Sequence, residues 1–92
     1  MLKVRAHVLV SGRVQGVFFR QETMELALEF NVNGWVRNTQ DDRVEAVFEG
    51  EKENVDRLVE FCKSGTRYAR VTGVEVIWQD YVGEFESFRI RH

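Results

Sequence analysis

The sequence predicts an α+β fold of the ferredoxin-like kind, a mainly antiparallel sheet with two helices on one face and an additional C-terminal strand. Three observations lead there. Residues 4–10 and 44–50 alternate apolar and polar side chains with the period of two that marks a strand buried on one face. Residues 21–30 and 51–65 repeat apolar side chains at the three- and four-residue spacing of amphipathic helices. The order of these patterns is βαββαβ followed by one more strand, which is the split βαβ arrangement.

In the first strand Val4, Ala6, Val8 and Val10 alternate with Arg5, His7 and Leu9. After the stretch "GRVQGVFFR", residues 12–20, "QETMELALEF" places Met24, Ala27 and Leu28 on one helix face, widened by Leu26 and Phe30. Asn31, Asn33 and Gly34 have the composition that ends a helix, and "WVRNT", residues 35–39, reads as a short second strand. A turn at "QDDR" leads into "VEAVFEG", where Val44, Ala46 and Phe48 alternate with Glu45, Val47 and Glu49, predicting a hairpin. The second helix is predicted from Val55, Leu58, Val59 and Cys62, with Glu51 and Glu53 near its positive end and Lys63 and Gly65 at its exit. "ARVTGVEVIW" and "FESFRIRH" read as two final strands, with Gly73 as a bulge that resets the alternation. Repeats, low-complexity tracts and linkers are missing, so one domain over 1–92 is expected.

Composition bounds the function. With 92 residues, 43% hydrophobic and 30% charged, the chain has enough apolar surface for a single core. Apolar runs fall short of the ~20 residues of a membrane helix, and the alternating first residues do not form a signal-peptide core, so a cytoplasmic protein without a membrane partner is expected. Cys62, the lone cysteine, excludes an internal disulfide and a thiolate metal site and is read as core. A net charge of -2 speaks against nucleic acid as a partner; Trp35, Phe48, Trp78, Phe85 and Phe88 are accordingly assigned to packing and not to an RNA-stacking face. His7, on the polar face of the first strand, and His92 lack a second ligand at metal spacing and are read as surface groups, while Asp41 and Asp42 are read as turn residues. The expectation is no metal and no cofactor.

The chemistry concentrates in "GRVQGVFFR". Successive N–H groups in a glycine-containing loop ahead of a helix can converge on one concavity, and the helix's first amides add positive charge, so the stretch can bind an anion. Gly12 and Gly16 suit such a nest, and Arg20 presents a planar fork that matches phosphate oxygens. The same residues would also make an ordinary turn followed by a solvated arginine. Topology adds a constraint: in a split βαβ unit the first two strands run parallel with the third between them. The end of "RNT", Arg37–Thr39, then lies about 9–10 Å from the loop, within side-chain reach. Asn38 belongs near the nest on that ground, although asparagine is also a common turn residue.

"GRVQGVFFR", "NGWVRNT", "VEAVFEG" and "ARVTGVEV" together resemble the acylphosphatases, in that family's order and over essentially the whole chain. The resemblance implies hydrolysis of the carboxyl–phosphate anhydride of acyl phosphates such as acetyl phosphate, 1,3-bisphosphoglycerate or carbamoyl phosphate. It implies that the amides of Gln15, Gly16, Val17, Phe18, Phe19 and Arg20, with the Arg20 side chain, hold the phosphoryl group. Asn38 would orient the attacking water, and Gly12 and Thr39 would support the site. Inorganic phosphate would be product and inhibitor, and a monomer is expected. Such a site is chemically sufficient, because a carboxylate whose parent acid has a pKa of about 4 departs without a general acid. Phe19 is expected to anchor the loop in the core while Phe18 lines the pocket mouth. The chain departs from the family in carrying Asp42 where a hairpin glycine is usual and in lacking proline after the second helix. A phosphate-binding regulatory module without turnover is the alternative that the same residues allow.

Overall fold

Strand register explains how the alternating segments come to share one core. The structure, a computed structural model, describes residues 2–92. Its elements are β1 (Lys3–Arg13), α1 (Phe19–Glu29), β2 (Asn33–Asn38), β3 (Val44–Glu51), α2 (Lys52–Ser64), β4 (Arg70–Gln79) and β5 (Phe88–Arg91). The sheet order is β4-β1-β3-β2-β5, with β5 parallel to β2 and every other pair antiparallel. Ala6 lies opposite Phe48, Val8 opposite Ala46 and Val10 opposite Val44, and all six side chains are fully buried. Burying a valine or phenylalanine in this way contributes on the order of 1.5–3 kcal/mol. Over that face α1 covers β2 and β5, and α2 covers β1, β3 and β4.

α2 buries the expected stripe of Val55, Leu58, Val59 and Cys62. In α1 the buried edge is Phe19, Thr23 and Ala27, not the predicted Met24, Ala27 and Leu28; Leu28 is exposed and Met24 only partly buried. Thr23 escapes a hydropathy reading because it is polar, yet its hydroxyl donates to the Phe19 carbonyl at 2.7 Å, which leaves its methyl free to enter the core. The helix stops at Asn31, in the left-handed region at φ 55, with the Val32 N–H donating back to the Ala27 carbonyl at 2.9 Å. Asn33 and Gly34 therefore belong to β2 and not to the helix end. The β4 bulge lies beside Gly73: Ser11 pairs with Gly73 and Gly12 with Val71, leaving Thr72 as the extra residue.

The two edge strands, β4 and β5, are consecutive in sequence, so residues 80–87 must cross the sheet on its helix-free face. Glu49 receives them. It accepts from the N–H groups of Val82 at 2.9 Å, Gly83 at 3.1 Å and Glu84 at 3.2 Å, and from the Arg5 guanidinium at 3.2 Å. Alternation puts Glu49 and Val47 on the face of β3 opposite Phe48, yet they too are buried, at 2% and 3% exposed. Val47 lies between His7 and Trp35 in cross-strand register. It also shortens the last strand, because Phe85 and Ser87 give their carbonyls to the Asn33 side chain at 3.1 Å and the Gly34 N–H at 3.0 Å before β5 begins.

At the hairpin, Thr39 N–H donates to the Arg43 carbonyl at 2.8 Å, and Asp42 adopts φ 69. Left-handed backbone costs a residue with a Cβ, aspartate less than most. Asp42→Gly is expected to raise stability by about 0.5 kcal/mol, read from the urea midpoint; a lower midpoint would show that the aspartate is not strained there.

Burial alone would raise the Glu49 carboxyl, but the Val82 and Gly83 amides and Arg5 outweigh it, and its pKa is lowered. A carboxyl lowered in the folded state stabilises above its unfolded pKa, and that stability is lost as pH falls through the folded value. Glu49→Gln should therefore cost on the order of 2 kcal/mol at pH 7, with the gap to wild type narrowing below about pH 4; a gap that stays constant between pH 7 and pH 3 would contradict this.

Candidate active site

Three apolar side chains pin the segment between β1 and α1 to the core. Val14, Val17 and Phe19 are 1%, 3% and 2% exposed, whereas Gly16 and Phe18 between them face outward. Two left-handed residues make the zigzag possible, Gly16 at φ 72 and Phe18 at φ 65. A Cβ on Gly16 would meet nothing within 4 Å, so its need is conformational and the space above it is open. At Phe18, the residue preceding α1, the strain of a bulky side chain in this region is about 1–2 kcal/mol. Buried neighbours on both sides hold it there.

The loop is also tied laterally. Gln15 Nε2 donates to the carbonyls of Thr39 at 2.9 Å and Arg43 at 3.0 Å, joining the loop to the β2–β3 hairpin. On the other side the buried Thr66 hydroxyl donates to the Val17 carbonyl at 2.7 Å. The first helical bond runs from the Glu22 N–H to the Phe18 carbonyl at 3.0 Å, and no side chain among the described residues caps the helix. Among the described residues, the N–H groups from Gly16 to Arg20 have no protein acceptor. They lie at the positive end of α1.

These amides border a cavity of about 420 Å³. Gly16, Phe18, Phe19 and Arg20 line it from the loop side, and Asn38, Ile90 and His92 from the sheet side. Arg20 is half-buried and makes no ion pair among the described residues. Register decides where Asn38 points: it lies opposite Val44, whose side chain is in the core, so Asn38 faces the helices while Arg37 faces the other way. Its Oδ1 is buried without a hydrogen-bond partner among the described residues. An unpaired buried acceptor costs on the order of 1–3 kcal/mol unless a ligand or water completes it.

The structure thus brings together Gly16, Phe18, Phe19, Arg20 and Asn38. Gln15 and Val17 belong to the same loop but spend the Gln15 side chain and the Val17 carbonyl on holding it. Thr39 does not line the cavity; its hydroxyl lies against Asp41 and accepts from the Arg43 N–H at 3.0 Å, closing the hairpin. Gly12 does not line it either. It sits in β1 at φ 122, where a Cβ would come within 2.1 Å of the Arg70 carbonyl, so its requirement is close strand packing against β4. His92, expected as an ordinary surface group, does line the cavity, because parallel pairing of β5 with β2 carries the chain end past Asn38. Charge and spacing alone carry no sign of that pairing.

The remaining titratable groups do structural work elsewhere. Asp41 is held at about 2 by Arg43 first and by Thr39, as a hairpin turn residue. Burial pushes the Cys62 thiol up to about 12, which removes it as a nucleophile near neutral pH. On the helix-free face Glu45 bridges His7 at 2.6 Å and Arg37 at 2.7 Å; burial opposes its ionisation, these two partners outweigh burial, and its pKa is lowered. Among the described residues, no three His, Cys, Asp or Glu side chains are grouped to hold a metal ion, and no helix is long and apolar enough to cross a membrane.

The comparisons agree with this geometry. The family model described as Acylphosphatase matches residues 6–90. An acylphosphatase of Pelotomaculum thermopropionicum is 54% identical over 90 residues, covering 98% of each chain. Among solved structures, an acylphosphatase from Bacillus subtilis superposes with a TM-score of 0.92 at 32% identity, over 97% of this chain and 99% of that one. One from Coxiella burnetii gives 0.86 at 38% identity, over 97% and 93%. A loop of free amides above one arginine and one unpaired asparagine, in a chain matched from end to end by such relatives, identifies the protein as a member of the acylphosphatase family, whose general activity is acyl phosphate hydrolysis.

Proposed function

We propose that the loop amides of residues 15–20 and the Arg20 guanidinium bind the phosphoryl group of an acyl phosphate of the acetyl phosphate, 1,3-bisphosphoglycerate or carbamoyl phosphate type, and that Asn38 orients the water that attacks it. The observation that carries this reading is the meeting of free donors and one buried, unpaired acceptor in a single cavity. Donors suit the equatorial phosphoryl oxygens, where charge resides in the transition state. The Asn38 Oδ1 can accept one hydrogen of a water, leaving the oxygen lone pair free for phosphorus. The amide cannot take the proton, so the water's proton passes to a non-bridging phosphoryl oxygen of the substrate. The new P–O bond forms as the bond from phosphorus to the acyl oxygen breaks, and the carboxylate leaves with that electron pair. No side chain need protonate so weak a base. No aspartate or glutamate side chain among the described residues lines the cavity, so the anionic substrate meets Arg20 and the amides without repulsion from an acidic side chain there.

Hydrolysis of benzoyl phosphate in excess EDTA tests the reading. Wild type should turn over. Asn38→Ala should lose about a hundredfold or more in kcat at nearly unchanged KM, and Arg20→Gln should lose on the order of 3 kcal/mol of transition-state stabilisation with weaker binding. Phosphate binding without turnover would favour the regulatory alternative, and full activity in Asn38→Ala would remove the water-orienting role. His92→Gln should keep the pH dependence of kcat between pH 5 and 8, because the proton goes to the substrate; a neutral-range inflection lost in that variant would make His92 the base instead.

A further inference from the structure

We infer that Phe18 and Tyr68 form an aromatic wall that receives the acyl group of the substrate, so that the protein selects acyl phosphates with aromatic or bulky apolar acyl groups over acetyl phosphate. The inference rests on the mechanism proposed above, in which the attacking water lies at Asn38. Phe18 lines the cavity and is nevertheless 60% exposed, while both its sequence neighbours are buried. Its left-handed backbone at φ 65 turns the ring outward, at a conformational cost that no core contact of that ring offsets. Tyr68, also exposed at 55%, stands beside it with ring centroids 5.8 Å apart and planes tilted by 56°. The Arg67 guanidinium lies 5.4 Å from the Tyr68 centroid and steadies that ring from its own segment.

The position of the pair follows from the sheet. β1 lies between β3 and β4, Asn38 belongs to β2 beyond β3, and Tyr68 lies in the connection that enters β4. The phosphate-binding loop therefore separates Asn38 from Tyr68. Its lateral ties say the same, Gln15 to the β2–β3 hairpin and Val17 to Thr66. In-line displacement requires the attacking and leaving oxygens on opposite sides of phosphorus. Water on the Asn38 side sends the acyl group toward the opposite side, where the two exposed rings stand. The Thr66 bond at 2.7 Å keeps the connection carrying Tyr68 in step with the loop. An aromatic acyl group meets the rings at stacking distance; an acetyl group is too small to cover them.

The test is the ratio of kcat/KM for benzoyl phosphate to that for acetyl phosphate, in which the reactivity of each anhydride cancels between variants. Tyr68→Ala should lower the ratio about 3- to 10-fold, with the inhibition constant of inorganic phosphate and the urea midpoint unchanged. Tyr68→Phe, which keeps the ring, should restore the wild-type ratio. An unchanged ratio in Tyr68→Ala, or a fall matched by weaker phosphate inhibition, would overturn the wall, the second because it would show a collapsed loop. Asn38→Ala reports on the mechanism separately, since its loss of turnover falls on both substrates and leaves the ratio where it was.

Discussion

A string of backbone amides has to remain free of protein partners and yet stay still. Free N–H groups at the start of a helix are ordinarily satisfied by a capping side chain or by water, and here the residue at the capping position is a phenylalanine in left-handed conformation. The segment is held by what lies between the exposed amides. Val14, Val17 and Phe19 enter the core, Gln15 reaches the hairpin, and Thr66 reaches Val17. Each tie uses a side chain or a carbonyl, and none uses a backbone N–H of the loop. The donors stay available because everything else in the segment is engaged, and a loop of this kind loses little further freedom on binding.

The same economy governs the two faces of the sheet. Toward the helices the strand side chains are apolar, and the one polar side chain brought in at the end of β2, Asn38, is left with an oxygen unpaired among the described residues. Away from the helices polar groups are plentiful and engaged: Glu45 with His7 and Arg37, and Glu49 with Arg5 and three amides of the crossing segment. The β3 carboxylates Glu45 and Glu49 thus lie on the face opposite the cavity and are held there by cations. In the proposed mechanism that separation keeps these two carboxylates away from the cavity that Arg20 lines.

Glu49 also shows how topology creates a buried charge. Because β4 and β5 occupy opposite edges, a short connection must traverse the open face, and its amides need acceptors there. One ionised carboxylate with several acceptor sites meets three of them, and Arg5 compensates the charge. β5 can then pair with β2, and Phe88 stacks on Phe48 at 5.8 Å, each in cross-strand register with Gly34 between them. Through that pairing Ile90 and His92 become walls of the cavity.

Where neighbours in sequence decide, the chain's own pattern placed the faces of β1, most of β3, the stripe of α2 and Cys62 as core; the Asp42 turn and the loop from Gln15 to Arg20 were legible through the family resemblance. Periodicity of two or 3.6 assigns a residue to a face from local geometry alone. Thr23, Glu49 and His92 escaped it, each for want of a partner distant in sequence or hidden in the backbone. A buried threonine is legible only with its carbonyl acceptor, a buried glutamate only with the segment that crosses it, and a histidine's place in a cavity only with the strand that carries it there. Asn38 stands between the two cases. Topology brings it near the loop, but only its register against Val44 turns it toward the helices and leaves its oxygen unpaired, because hydrogen-bond satisfaction is a property of the assembled fold and not of any segment.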